Sequence, residues 1–253
     1  MLHPYLDAIF VIFVYMTLWF LVATAKRDNS IIDIAWGLGF VVVAWWQYVF
    51  YPHPHAFVLT LMVSLWGIRL GAYLFSRNWN TEEDWRYQEM RKNWGNNVLL
   101  NAYVRVFLLQ GGLMYLISLV LQQQPANLIE PWQSLSIVGI LIFGIGFFWE
   151  SIADYQLQQF KANPDNKGKF MTKGLWQYCR HPNYFGEILI WWGIYLYTIP
   201  YGTWYIFIIS PIVITFFLLK VSGIPFLKRK QEKSSKYQAY VEEVPNAIIP
   251  KFW

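Results

Sequence analysis

Seven long apolar runs dominate the chain, at roughly 4–25, 31–51, 56–75, 98–122, 134–152, 183–201 and 203–222. Each approaches the ~20 residues with which a helix crosses a ~30 Å hydrocarbon core. A run of this length in lipid has to be helical, because only a helix pairs its own backbone N–H and C=O groups. The expected fold class is therefore all-α: a polytopic integral membrane protein with about seven transmembrane helices, forming one membrane domain over 1–253 with a tail from 223.

Composition agrees. Charged residues make up 14% of the chain, against ~25% in a typical soluble protein, too few to keep a globular surface wet. The 15 Trp and 17 Tyr suit a membrane interface. A net charge of +5 does not indicate nucleic acid, because the basic residues lie between apolar runs and not on a soluble domain. Cys179 is the only cysteine, which excludes an intramolecular disulfide and a CxxC site. The first run is too long for a cleavable leader, and Lys26-Arg27 follows it; it reads as the first span.

The connections alternate in charge. Lys26 and Arg27 follow the first run, and Arg77, Arg86, Arg91 and Lys92 follow the third. Lys161, Lys167, Lys169, Lys173 and Arg180 follow the fifth, and more Lys and Arg follow the seventh from Lys228 onward. The intervening loops, including 51–55 with His53 and His55 and 123–133 with Glu130, carry no Lys or Arg. With seven spans every basic loop falls on one side, which the positive-inside rule makes cytoplasmic. The N-terminus is expected outside and the C-terminus inside. The charged stretch 228–243 has the makings of a short interfacial helix, ended by Pro245 and Pro250.

Charges inside the runs are costly and tend to be functional. Asp33, Arg69, Arg105, Glu150 and Glu187 qualify. Asp33 and Arg69 near span ends are open to two readings, a functional one and plain pairing or snorkelling. Arg105 lies deeper and wants a partner. Glu150 and Asp154 are four apart on one helix face, where like charges need a cation, a base or a hydrogen-bonding ligand. Tyr155, Gln158 and Lys161 would extend this polar stripe out of the membrane.

The densest constellation runs from Gly174 to Glu187, with Tyr178-Cys-Arg-His-Pro-Asn-Tyr-Phe-Gly-Glu187 at its heart. Pro182 suits the first turn of the sixth helix. Asn183 and Glu187 share a face, and Gly186 leaves room for a close approach. Orphan N–H groups at the helix start and the Arg180 guanidinium could take a phosphate; Arg180 could equally cap a neighbouring helix. There is no GxGxxG after a strand, no P-loop and no HExxH, so no metal site is expected and a nucleotide would not be held by a Rossmann domain.

The 178–187 stretch resembles the steroid 5-alpha-reductase C-terminal domain superfamily, nearest its bacterial branch of unknown function. Supporting stretches are Asp33-Ile-Ala-Trp36, Trp66-Gly-Ile-Arg69, Glu83-Asp84-Trp85-Arg86-Tyr87, Leu109-Gln110-Gly111, Asp154-Tyr155 and Ser222-Gly-Ile-Pro225. The resemblance implies a seven-helix protein of the bacterial inner (cell) membrane that binds NADPH in a pocket facing the cytoplasm. It implies reduction of a conjugated carbon–carbon double bond in a hydrophobic, steroid- or lipid-like substrate, with an acid polarising the carbonyl. On that basis Asp154, Tyr178, Asn183 and Glu187 match cofactor-contacting positions, and Lys161, Lys169 or Arg180 would serve the phosphates. Asp33 falls at or near the family's catalytic Glu. Trp66 falls near its Tyr and has no hydroxyl; Tyr103 or Tyr73 could substitute. Catalytic candidates are thus Asp33 and Tyr103.

Two rival functions remain. Membrane isoprenylcysteine and phospholipid methyltransferases share an Arg-His-Pro-x-Tyr-x-Gly element, present here at Arg180–Gly186, which makes an S-adenosylmethionine-dependent methyltransferase the alternative. Their Glu-Glu pair after the last span is missing at 224–230. Seven helices would also suit a non-catalytic lipid or sterol binder or a transporter.

Overall fold

The structure is a computed structural model that describes residues 3–123, 133–202, 204–221 and 234–251. Of the expected features, the stretch 222–225, the acid-poor region 224–230 and Glu130 lie outside them. The chain is all-helical, with no strand among the described residues. Five helical stretches there are long and apolar enough to cross a membrane: Pro4–Lys26, Asn29–Phe50, Pro54–Asn78, Gly95–Gln122 and Ser134–Ala162. The sixth expected run forms a helix of 17 residues, Pro182–Thr198, and the seventh a shorter apolar stretch, Tyr205–Val221.

In order, the helices are α1 (Pro4–Lys26), α2 (Ile32–Phe50), α3 (Pro54–Asn78), α4 (Trp85–Asn93), α5 (Val98–Ala102) and α6 (Leu109–Ser118). They continue as α7 (Ser134–Ala162), α8 (Pro182–Thr198), α9 (Trp204–Phe207), α10 (Ile209–Phe216) and α11 (Ser235–Glu243). A π-helical stretch, Tyr103–Leu108, joins α5 to α6. The chain groups into two compact units, Met1–Gln133 with Pro200–Ser210, and Ser134–Ile199 with Pro211–Trp253.

In the first unit α2 and α3 pack backbone to backbone. A Cβ on Gly37 would stand 2.8 Å from the Gly67 carbonyl oxygen, and one on Gly71 2.8 Å from Leu38. Trp66 is fully buried, edge-on to Phe40 at 5.6 Å between ring centroids. It fills the core between these helices, a role that needs no hydroxyl. α1 ends at Arg27, whose left-handed backbone (φ 57°) lets Asp28 N–H return to the Ala23 carbonyl at 3.0 Å. Asp28 then caps the turn Asn29–Ile31, accepting from the Ser30 amide at 2.8 Å and hydroxyl at 2.6 Å. His55 is buried and stacked on Tyr201 at 4.5 Å, a packing role. Arg105 is exposed on the π-helical stretch, so its stem can snorkel.

In the second unit the seam between α7 and α8 is made of glycine. A Cβ on Gly146 would meet the Gly186 carbonyl oxygen at 2.7 Å, and one on Gly193 would meet the Gly139 carbonyl oxygen at 2.7 Å. Gly139 and Gly146 are seven apart, as are Gly186 and Gly193, so each pair recurs after two helical turns. Small residues let helices approach closely where the hydrophobic effect gives no drive to associate, as in lipid. The outer stripe of α7 is apolar and exposed: Leu141, Ile145, Phe148 and Ile152. The inner stripe is Gly139, Phe143, Gly146, Glu150 and Asp154. Acids inside and large apolar residues outside invert the pattern of a soluble helix and suit a bilayer.

Candidate functional site

The glycine seam determines what lies at the head of α8. A Cβ on Gly186 would stand 2.6 Å from the Glu150 amide nitrogen and 2.7 Å from Glu150 Cβ. The close approach expected at Gly186 is therefore that of α7 itself. It places Glu150 (3% exposed) and, one turn on, Asp154 (4% exposed) beside the start of α8. Asn183 Nδ2 donates to Asp154 Oδ1 at 3.2 Å. The acid fixes the amide's orientation and leaves Asn183 Oδ1 buried with no hydrogen-bond partner. A buried acceptor left in that state is costly, and a donor from a ligand would relieve it.

Glu187 is half-buried one turn further along α8. Lys161 is exposed in the last turn of α7, two turns beyond Asp154, and Lys169 is exposed in the following loop. Tyr155 is 62% exposed and is not on the face of Glu150 and Asp154; one residue rotates the helix by ~100°. The α7 stripe thus runs through Glu150 and Asp154 without it.

The segment before α8 is held by the far end of the chain. Arg180 N–H donates to the Asn246 carbonyl at 2.9 Å, His181 N–H to Ala247 at 3.0 Å, and Lys251 N–H to Tyr178 at 3.1 Å. Arg180 Nη1 donates to the carbonyls of Val244 and Pro245, both at 2.6 Å. Val244 is the C-cap of α11, so Arg180 takes up the capping arrangement, a cation where the helix dipole is negative. α11 is seated by Tyr237 and Tyr240 against Phe170, whose ring stacks on Tyr240 at 4.7 Å. Of the tail helix expected from 228–243, Ser235–Glu243 is helical, and 228–233 lies outside the described residues.

His181 is buried and stacked on Tyr184 at 5.2 Å. Burial first, and then the Arg180 charge, push its imidazole down from an ordinary 6.5 to about 4. The folded protein keeps His181 neutral where the unfolded chain would protonate it. Its contribution is thus complete above the unfolded value and is lost as pH falls toward the folded one. Acidification from about pH 7 to about pH 4 should remove up to ~3 kcal/mol of stability through this residue. Melting curves of the wild type and His181→Asn across that range should diverge at neutral pH and converge in acid.

The first unit contains a second polar cluster. Asp33 accepts from Arg86 Nη2 at 2.8 Å and from the Tyr87 hydroxyl at 2.9 Å. Asp84 caps α4 through the Arg86 amide at 2.9 Å and also takes Arg86 Nε at 2.8 Å. Arg91 grips both oxygens of Glu83, at 2.7 and 3.1 Å, and Glu83 accepts from the Asn29 amide at 2.8 Å. Gln110 Nε2 reaches Tyr87 at 3.4 Å. Burial and then the Asp33 charge hold the Tyr87 phenol well above its ordinary range, so it is a neutral O–H donor. Three of the sequence stretches singled out above, 33–36, 83–87 and 109–111, meet here. Tyr103 is elsewhere in the unit, its hydroxyl 2.9 Å from Thr17 Oγ1 and its ring 4.8 Å from Phe20. The phenol bonded to Asp33 is Tyr87, named in the sequence only within the 83–87 stretch and given no role there because it lies in a charged connection outside the apolar runs.

A model of the family DUF1295, described as a protein of unknown function, matches residues 19–244. A protein of Ustilaginoidea virens described as "Probable O-methyltransferase ustE" is 46% identical over 46 residues, which is 18% of this chain and 16% of that protein. No solved structure matches the chain.

Proposed function

The chain belongs to the DUF1295 family, and from its own residues we propose that it is a membrane-embedded, NADPH-dependent reductase of a conjugated double bond in a hydrophobic substrate. We also propose that the helical runs make seven spans with the N-terminus outside and the C-terminus in the cytoplasm, because that count alone puts every basic loop on one side. In a bacterial host this would be the inner membrane.

The observation that carries the cofactor assignment is the buried, unpartnered Asn183 Oδ1 beside Asp154. A nicotinamide dinucleotide fits such a set, since its carboxamide and ribose hydroxyls offer both donors and acceptors. Asn183 would accept from it, while Asp154, Glu187 and Tyr178 would take hydroxyl or amide protons. Exposed Lys161 and Lys169 would meet the phosphates. Arg180 acts as a positioning residue that holds the 178–181 segment through the C-terminal stretch. When bound, NADPH supplies a hydride to the electron-poor carbon of the conjugated system.

The first unit, taken by itself, offers a candidate proton donor. Tyr87 has a donor hydrogen, a neutral phenol and a carboxylate, Asp33, that orients it. Turned from Asp33 to a substrate carbonyl, its O–H would polarise that oxygen and stabilise the enolate. Arg86 stays paired with Asp33, at 2.8 Å, on the other carboxylate oxygen. Tyr103 bonds to Thr17 and is the second choice for this role.

Purified protein should oxidise NADPH when supplied with an enone-bearing lipid, and Tyr87→Phe should slow that turnover by ~10²-fold or more without changing NADPH affinity. Turnover unchanged in Tyr87→Phe would remove Tyr87 from the chemistry.

The similarity to a protein described as an O-methyltransferase, together with the Arg180–Gly186 element, favours a second function: methyl transfer from S-adenosylmethionine. Its sulfonium and ammonium charges would suit Glu150 and Asp154.

A further inference from the structure

At the end of α1 and the start of α5 lies a groove of about 380 Å³ lined by Ala23, Thr24, Arg27, Asn29, Arg91 and the apolar trio Val98, Leu99 and Ala102. Both walls belong to the first unit, and its volume is in the range of small-molecule clefts, ~300–1,000 Å³. Asn29 and Arg91 belong also to the Glu83 cluster described above; none of the residues proposed for the cofactor or the proton donor lines it.

Its polar groups share one sign of demand. Asn29 is 3% exposed, and its Nδ2 is a buried donor with no hydrogen-bond partner. Arg27 is exposed at the helix end. Arg91 presents a guanidinium of which Nη2 and Nε hold Glu83, with a longer contact of 3.4 Å from Nη2 to the Arg27 carbonyl. The nearest acids do not line the groove: Glu83 is engaged by Arg91 and the Asn29 amide, and Asp28 is turned onto Ser30. Asn29, with its orphaned amide donor, and two arginines line the groove, a set that favours a ligand that accepts hydrogen bonds and carries negative charge. The remaining walls are apolar, so the same ligand has a hydrocarbon part. Pro4–Lys26 and Gly95–Gln122 are both long and apolar enough to cross a membrane, and the groove lies where one ends and the other begins. That is the depth at which phospholipid headgroups sit, and where each Lys or Arg adds attraction to anionic lipid.

We propose that this groove is a binding site for the phosphate headgroup of an anionic phospholipid, with Asn29 Nδ2 and Arg27 as its donors, Arg91 as a second cation and Val98, Leu99 and Ala102 against the first carbons of the chains. The site stands independently of the cofactor assignment.

The test uses the full chain in neutral detergent, titrated with short-chain phosphatidylglycerol, short-chain phosphatidylcholine and glycerol phosphate. Phosphatidylglycerol should bind saturably, and the other two at least tenfold more weakly. Arg27→Gln should weaken phosphatidylglycerol about fivefold. Asn29→Ala should weaken it too while leaving the melting temperature in phosphatidylcholine undiminished, since the deleted Nδ2 makes no bond to the protein. If Asn29→Ala does not fold, Arg27→Gln decides, because that side chain is exposed. Equal binding of the two lipids, or unchanged affinity in Arg27→Gln, would overturn the proposal. Glycerol phosphate binding as tightly as phosphatidylglycerol would overturn the lipid in favour of a soluble phosphorylated ligand.

Discussion

Gly186→Leu is expected to yield no folded protein, while Gly144→Leu in the facing helix is expected to be harmless. The first atom added at Gly186 would stand 2.6 Å from the Glu150 amide nitrogen and 2.7 Å from its Cβ. These are backbone and near-backbone atoms that cannot turn aside. Overpacking a core costs ~1–3 kcal/mol when side chains can yield, and here the helices themselves would have to separate. Separation would open the Gly146 and Gly193 contacts on the same seam. Gly144 has nothing within 4 Å of its would-be Cβ, and Leu is the better helix former by ~0.5–1 kcal/mol. Expression, size-exclusion profile and melting temperature in detergent give the comparison. A Gly186→Leu protein that melts like the wild type would contradict the α7–α8 seam.

Asn183→Leu is expected to fold and to lose NADPH affinity by ~10–100-fold. Leu has nearly the same size and is a good helix residue at the start of α8. It removes the one donor seen on Asp154 Oδ1 from this position, at 3.2 Å, and the buried acceptor Oδ1. A hydrogen bond involving a charged group contributes ~1.5–3 kcal/mol, and leaving a buried polar partner unsatisfied costs ~1–3 kcal/mol. Loss of the Asn183–Asp154 bond, present without a ligand, should lower the melting temperature, while loss of Oδ1, unsatisfied without a ligand, should fall on binding alone. Asn183→Asp sharpens the comparison: it keeps the shape, places a second carboxylate beside Asp154, and should lower affinity at least as far. A fall in melting temperature with unchanged affinity would make the Asn183–Asp154 bond purely structural.

Much of the helical layout was legible in the sequence, for a plain reason. A ~20-residue apolar run has one way to satisfy its backbone in lipid, so the runs at 4–25, 31–51, 56–75 and 98–122 are helical with nearly those limits, while the run at 134–152 continues as helix to Ala162. The pairing of Asn183 with Asp154 was not legible as a contact, although both residues had been singled out, because it depends on how close α7 and α8 come. Glycines seven apart on both helices carried that information. Tyr155 adjoins Asp154 in sequence but lies off its face, because each residue turns the helix by ~100°. Tyr87 stands in the sequence as the end of the 83–87 stretch with no role attached, and only the fold brings it to Asp33. The grip of Arg180 on Val244 and Pro245 joins residues more than sixty positions apart, and no spacing rule reaches that far.

We propose that this chain holds a nicotinamide cofactor. The most direct test is calorimetric titration of the purified full-length protein in detergent with NADPH and, separately, with S-adenosylmethionine. Saturable binding of NADPH at one site, lost in Asn183→Leu, with no comparable binding of S-adenosylmethionine, is the predicted result. Tight binding of S-adenosylmethionine with none of NADPH would contradict it and make the protein a methyltransferase.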